Sequence, residues 1–201
     1  MNLERATARI TGVILAGGRG QRMGGIDKGL KLLRGKPMVR WVAERFAPQV
    51  DEVLINANQN LEAYSALGHR VIPDEIADYA GPLAGLHRGL SEATHDLVAT
   101  VPCDSPFLPA DLVVRLRAAL ESGDAEVAVA RTGRQPHPVF CLCRKRVRGG
   151  LGDFLAHGGR KIDAWYAQLR VVEVPFDDQP GAFSNVNTEA ELKAFEDGAL
   201  P

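Results

Sequence analysis

The stretch LAGGRGQRMG at residues 15–24 decides the interpretation of this chain. It follows the apolar run VILA at 13–16, which predicts a buried strand, and it leads to Asp27 and Lys28. A glycine-rich loop after a first strand lets the backbone approach a ligand and point free N–H groups at phosphate oxygens. Because Arg19, Arg22 and Lys28 add positive charge, the loop predicts a nucleoside triphosphate site. A tight strand-to-helix connection without a ligand is the alternative.

Two other phosphate-binding loops do not match this sequence. The dinucleotide fingerprint G-x-G-x-x-G fails because Met23 stands at its third glycine position. The P-loop pattern fails at Gly35-Lys36, because Pro37 follows the lysine and Leu30 stands at the first glycine position. The missing third glycine weakens the hypothesis of an NAD-dependent oxidoreductase, which saturable NAD binding would revive.

Length and composition are typical of one globular domain spanning 1–201. Of the 201 residues 45% are apolar, enough for one core, and a net charge of −1 predicts no binding to nucleic acid or to an anionic membrane. The sequence shows neither a signal peptide nor an apolar run near the ~20 residues of a spanning helix. Three cysteines, an odd number, favour a cytoplasmic location. Cys141 and Cys143 are interpreted as small buried side chains rather than metal ligands.

Short apolar runs alternate with helical patterns along the chain. Strands are predicted at about 10–16, 52–57, 69–73, 96–102, 125–131, 137–143 and 169–174, and helices at about 37–47, 59–66, 82–93, 109–121, 151–157 and 188–196. Pro109 is placed in a first helical turn, and Thr188 with Glu191 at the start of the last helix. The predicted fold is α/β: a three-layer αβα sandwich with a mostly parallel Rossmann-like sheet. The turn at 131–135 would form a hairpin and give an antiparallel addition in the second half.

Polar groups stand at the ends of four successive predicted strands. The glycine loop follows the first strand, Asn56 ends the second, Asp74 follows the third, and Asp104 follows the fourth. In open parallel sheets, ligands bind beyond the carboxyl ends of the strands. These residues therefore predict a single cleft.

The residue types at this cleft suit phosphate and metal chemistry. Asp104 is the candidate Mg²⁺ ligand, because Mg²⁺ prefers one or two carboxylates together with substrate phosphates; capping a turn is the alternative. Lys28 and Arg22 are the candidate triphosphate partners and, with Asp104, the candidate catalytic residues. Asp27 is interpreted as a turn residue or as an orienting partner for a nearby cation.

Other polar residues are candidates for recognising the base and the second substrate. A carboxylate such as Asp74 can accept from N1–H and N2–H₂ of guanine, and Asn56 can donate and accept; a turn role is the alternative for each. In the second half, His137, Asn185 and Asn187 are candidates for binding a polar, phosphorylated acceptor. A structural role is the alternative for the histidine.

The ordered set of motifs resembles the MobA family of molybdenum cofactor guanylyltransferases. The shared segments are LAGGRGQRMGGIDKGL at 15–30, GKP at 35–37, NAN at 56–58, DYAGPLAG at 78–85, PCDSP at 102–106, HP at 137–138 and NVNT at 185–188. The first and fifth occur in many nucleotidyltransferases with a Rossmann-like fold, whereas the whole set is more specific. Val139-Phe140 after His-Pro departs from the small or polar residues also common there.

The resemblance implies an enzyme that transfers GMP from GTP to the terminal phosphate of molybdenum-molybdopterin. The products would be molybdopterin guanine dinucleotide and pyrophosphate, with Mg²⁺ as cofactor and Mn²⁺ as a substitute. GTP would contact Leu15, Ala16, Gly17, Lys28, Asn56, Asp74 and Asp104, and the pterin side would include Asn185 and Asn187. About 10–121 would form the nucleotide-binding half and about 122–201 the acceptor half. Molybdopterin-delivery proteins and molybdoenzyme chaperones are the expected partners.

Two other functions remain as alternatives. A sibling enzyme that uses CTP would keep the fold and the metal site, although cytosine lacks the paired donors that suit Asp74. A nucleotide-binding regulatory protein without transferase activity would bind GTP as a signal. The NVN segment argues against it, because a sensor needs no acceptor site.

Overall fold

The computed structural model describes residues 8–17, 27–75, 81–186 and 191. In chain order their strands are β1 (Ile10–Leu15), β2 (Leu32–Leu33), β3 (Lys36–Pro37), β4 (Glu52–Asn56), β5 (Arg70–Ile72), β6 (Leu97–Pro102), β7 (Val127–Thr132), β8 (Gln135–Arg144) and β9 (Val171–Pro175). Their α-helices are α1 (Met38–Phe46), α2 (Leu61–Ser65), α3 (Pro82–Glu92), α4 (Leu112–Glu121), α5 (Arg148–Ala156) and α6 (Ile162–Tyr166).

One seven-stranded sheet, in the order β5-β4-β1-β6-β8-β7-β9, runs through both halves of the described chain. The strands β5, β4, β1 and β6 are parallel, β8 is antiparallel to β6 and β7, and β9 is parallel to β7. Among these seven, only β8 therefore runs in the reverse direction. This confirms the mostly parallel sheet and its antiparallel addition. The reversal brings the start of β8 to the edge where the other strands end.

Helices cover both faces of the sheet because side chains alternate along each buried strand. Ile10 and Ile14 of β1 pack in one apolar cluster with the buried sides of α1 and α4. Val13 packs in a second cluster with α3 and α5. The three-layer sandwich is thus confirmed. No helix of the described residues is long and apolar enough to cross a membrane.

Several boundaries differ from the prediction for local reasons. The fourth helix begins at Leu112 rather than at about 109, because Gln49 Oε1 accepts from the N–H of Val113 at 3.0 Å and Gln49 Nε2 donates to the Pro109 carbonyl. Pro109 therefore precedes the helix.

The remaining differences concern short elements and the C-terminal segment. The fifth helix begins at Arg148, three residues before the predicted start. The β2–β3 hairpin and α6 were not predicted, since two-residue strands and a five-residue helix carry too little periodicity. The start of the last helix at Thr188 lies outside the described residues.

Candidate active site

The first loop begins between two other strand ends. Leu15, at the end of β1, pairs with Asn56 on one side and with Pro102 on the other. The pairing continues past the strands: Ala16 donates to the Asn56 carbonyl at 2.8 Å, and Cys103 donates to the Leu15 carbonyl at 3.1 Å. The sheet therefore brings the NAN, LAGG and PCDSP segments to one edge, as the strand-end pattern predicts.

A pair of amides holds the carboxylate of Asp74. Asn56 Nδ2 donates to Asp74 Oδ1 and Asn58 Nδ2 donates to Asp74 Oδ2, each at 2.8 Å. Asn56 Nδ2 also donates to the Ile72 carbonyl at 3.1 Å, so both of its N–H groups are engaged within the protein. Since Asn56 is 2% exposed, its amide orients Asp74, and Asp74 is the more accessible polar group of the two.

Helix α3 packs against this amide pair at a glycine. A Cβ atom on Gly85 would fall well inside contact distance of Asn56 Oδ1 and 2.9 Å from Leu15 Cδ2. On the opposite side, a Cβ on Gly17 would lie 3.1 Å from Asn56 Oδ1. Both glycines are thus needed for the backbone to approach the amides closely.

Replacing Gly85 by alanine is expected to destabilise the protein by about 1–3 kcal/mol, because the buried amide of Asn56 cannot yield to the added methyl group. Urea unfolding measures the effect. Gly149→Ala is the matched control within a helix, since nothing lies within 4 Å of its Cβ position. It should leave stability unchanged or raise it by up to about 1 kcal/mol. Equal stability of the two variants would contradict the close approach of α3.

Lys28 and Asp104 form an ion pair at the end of β6, the strand that pairs with β1 on the other side from β4. Lys28 Nζ lies 3.5 Å from Asp104 Oδ2, and the two side chains are 25% and 13% exposed. Burial raises the pKa of the Asp104 carboxyl, and the Lys28 ammonium opposes that rise. Asp104 is therefore a largely desolvated carboxylate beside the Lys28 ammonium, a state that a bound cation would stabilise.

Asp27 fixes the turn that carries Lys28. Its Oδ1 accepts from Gly29 N at 3.1 Å, which caps the short 3₁₀ turn 28–30, and also from Tyr64 Oη at 2.5 Å. Asn60 Nδ2 donates to the other oxygen at 3.1 Å. Burial raises the pKa of Tyr64, so the phenol stays protonated as a donor. Of the two predicted roles of Asp27, the structure therefore shows the turn role.

The segment before residue 187 joins the Asp104 loop. Val186 donates its N–H to the Asp104 carbonyl at 2.9 Å, and Asn185 Oδ1 accepts from the buried Ser105 hydroxyl at 2.5 Å. Val186 is 2% exposed and packs in an apolar cluster with Leu33 of the β2–β3 hairpin. Asn185 itself is exposed. The structure therefore places one predicted acceptor residue beside the candidate metal ligand.

His137 lies near the start of the reversed strand β8, at the sheet edge where the other strands end. Its Nε2 lies 2.8 Å from Thr132 Oγ1, and its ring stacks on Phe183 with centroids 4.5 Å apart. Burial lowers the pKa of the imidazole, which favours its neutral form. Arg131, which was predicted in the turn but lies near the end of the adjacent strand β7, pairs with Glu173 and Asp177. Both residues thus have structural partners within the described part of the chain.

The described residues fit a divalent cation held mainly by substrate. They contain no group of three His, Cys, Asp or Glu side chains able to hold a metal, and Cys141 and Cys143 are buried in an apolar cluster. Asp104 offers one carboxylate that is largely shielded from solvent. Mg²⁺ is bound in this way in phosphate-transfer sites, where substrate phosphates and water complete the coordination shell.

Two groups of site residues need separate mention. The first group was predicted but lies outside the described part of the chain, and the second lies in the site but was not predicted. Arg22 and Asn187 belong to the first group. Asn58, Tyr64 and Ser105 belong to the second, although the alternation of the NAN segment gave a signal for Asn58.

Comparison with known proteins assigns the family. The family model described as "MobA-like NTP transferase domain" matches residues 12–172. A molybdenum cofactor guanylyltransferase from Cupriavidus metallidurans is 52% identical over 192 residues, covering 93% of this chain and 94% of the relative.

Solved structures share the fold. Molybdopterin-guanine dinucleotide biosynthesis protein A from Archaeoglobus fulgidus superposes with a TM-score of 0.76 at 22% identity, over 93% of this chain and 97% of that one. A Mycobacterium tuberculosis protein in complex with manganese gives a TM-score of 0.65 at 20% identity, over 94% and 99% of the two chains. The family match and the 52% identity together show that this chain belongs to the MobA-like NTP transferases, a family of nucleotidyltransferases.

Proposed function

We propose that the protein transfers GMP from GTP to the terminal phosphate of molybdenum-molybdopterin and releases pyrophosphate. The observation that carries the proposal is the Lys28–Asp104 pair at the end of β6, with the amide-held Asp74 three strands away after β5. The first pair suits a triphosphate with its cation, and the second suits a guanine base. The name of the 52% identical relative supports the same substrates.

The proposed reaction needs no protein nucleophile. The acceptor phosphate is already an anion, and it attacks the α-phosphorus of GTP while the bond to the pyrophosphate oxygen breaks. Catalysis is then mostly positioning and charge stabilisation. Lys28 neutralises charge on the triphosphate, and Asp27 keeps Lys28 in place through the capped turn. Arg22 is proposed as a second triphosphate partner.

Asp104 is proposed to hold Mg²⁺, or Mn²⁺ in its place. When bound, the ion would neutralise phosphate charge and support the leaving pyrophosphate. The low exposure of Asp104 keeps its carboxylate poorly hydrated and available to a cation. The loop residues Leu15, Ala16 and Gly17 would line the nucleotide from the end of β1.

The acceptor is proposed to bind toward the second half of the chain. Asn185 is exposed beside the Asp104 loop, and the start of β8 presents His137 at the same edge. With Asn187, these residues would contact the molybdopterin, so that about 10–121 binds nucleotide and about 122–201 binds acceptor within one domain. Delivery proteins, molybdoenzyme chaperones and a cytoplasmic location are part of the same proposal.

Pyrophosphate release tests the proposed substrates. With Mg²⁺ present, GTP, CTP and ATP are compared, each with and without molybdenum-molybdopterin. Release is expected only with GTP and only with the acceptor. Release with CTP instead would keep the metal site and overturn the assignment of Asp74 to guanine. Tight GTP binding without any release would favour a regulatory protein.

A further inference from the structure

Asn58 makes three hydrogen bonds that connect the ends of three strands. Its Nδ2 donates to Asp74 Oδ2 at 2.8 Å and to the Gly17 carbonyl at 3.4 Å, and its Oδ1 accepts from Asp74 N at 2.8 Å. These bonds join the segments that follow β1, β4 and β5. Asn58 therefore fixes the backbone position of Asp74 and, together with Asn56, the rotation of its side chain.

The hydrogen bonds leave a specific part of the carboxylate open. An ionised carboxylate has about four acceptor sites on its two oxygens. Asn56 occupies a site on Oδ1, and Asn58 occupies a site on Oδ2. Within the described part of the chain, each oxygen keeps one further site, so that two adjacent acceptors remain. Guanine presents N1–H and N2–H₂ side by side, which is the complementary pair of donors.

At Gly17 the first loop places backbone rather than a side chain beside this carboxylate. A Cβ atom there would lie 3.6 Å from Asp74 Oδ2 and 3.0 Å from Asn58 Nδ2. The bare backbone of Gly17 thus lies directly against the pair formed by Asn58 and Asp74. A base placed over this loop would meet the carboxylate in the rotation that Asn58 imposes.

We propose that Asn58 is a positioning residue for nucleobase selection. It holds Asp74 so that both oxygens accept from guanine together, and it acts through Asp74 without touching the base. This inference rests on the proposed use of GTP. The probe is inosine triphosphate (ITP), which carries N1–H but lacks the N2 amino group. The preference for GTP over ITP should depend on Asn58.

Calorimetric titration of the full chain with GTP and with ITP, without acceptor, tests this inference. The unaltered protein is expected to bind GTP about tenfold more tightly than ITP, because one hydrogen bond to a charged group is lost. In Asn58→Ala the GTP affinity should fall about tenfold and the ITP affinity less, so that the ratio approaches one. Gln168→Ala, which removes an exposed amide bonded to the Ala164 carbonyl, should leave the ratio unchanged.

Two results would overturn the inference. One is an equal loss of GTP and ITP affinity in Asn58→Ala with an unchanged ratio, which would make Asn58 a purely structural residue. The other is equal binding of both nucleotides by the unaltered protein. If Asn58→Ala does not fold, the isosteric Asn58→Asp decides: it replaces the Nδ2 donor to Asp74 Oδ2 and to the Gly17 carbonyl by an oxygen, and it should also lower the ratio. Because no acceptor is used, pyrophosphate release tests the transfer reaction separately.

Discussion

Substitution of Asp104 by asparagine should lower GMP transfer by about 10³-fold or more while the protein stays folded. Asparagine keeps the size of the side chain but removes the charge that would hold the cation. The pyrophosphate assay with saturating Mg²⁺ measures the loss. Asp124→Asn, which neutralises a carboxylate that is 83% exposed, is the control and should retain full activity. Full Mg²⁺-dependent turnover by the Asp104 variant would contradict the assignment of the metal ligand.

The pKa of Asp104 also predicts how Asp104→Asn changes the free energy of unfolding. Burial raises the pKa of Asp104 in the folded state, so the folded protein holds this proton more tightly than the unfolded chain does. The stabilisation is complete below the unfolded pKa and is lost as the pH rises through the folded pKa. At pH 8 without ligand, Asp104→Asn should therefore be at least as stable as the unaltered protein in urea unfolding. A clear loss of stability would indicate that Lys28 outweighs burial.

Substitution of Lys28 by alanine should weaken GTP binding about 10- to 100-fold, because a charged hydrogen-bond partner of the phosphates is removed. The Lys28 ammonium also lowers the pKa of Asp104 against the effect of burial. Its removal should raise that pKa further and move the acidic limb of the activity profile to higher pH. Calorimetry with GTP and a pH–rate profile measure the two effects.

Lys161→Ala, which removes an exposed lysine at the start of α6, serves as the control for Lys28→Ala. It should change neither GTP affinity nor the pH profile. An unchanged GTP dissociation constant in Lys28→Ala would reject its phosphate role. Weaker binding with an unmoved acidic limb would show that Lys28 and Asp104 are not coupled in the working enzyme.

The fold was predictable because strong local patterns repeat along the chain. The apolar strands β1, β4 and β6 each end at a polar segment, and parallel pairing then brings these segments to one edge. The hairpin through Gly133, whose φ is +54°, follows from a turn sequence between two strand patterns. The ends and directions of the strands were therefore enough to predict that Asp104, Asn56 and Asp74 lie at that edge.

The contacts within the site could not be predicted in the same way. Tyr64 reaches Asp27 across 37 residues, and Ser105 reaches Asn185 across 80. Such pairs depend on how helices and loops pack against each other, and the periodicity of the sequence does not predict that packing. The start of α4 shows the same limit, because the Gln49 side chain that caps it comes from a distant segment.

The most direct test of the account follows the α-phosphate of GTP. The protein is incubated with Mg²⁺, molybdenum-molybdopterin and GTP labelled at either the α- or the γ-phosphate, and the products are separated. The account predicts that α-label enters a molybdopterin guanine dinucleotide and γ-label leaves as pyrophosphate. If α-label appears only as free GMP or GDP, the proposed guanylyl transfer is wrong.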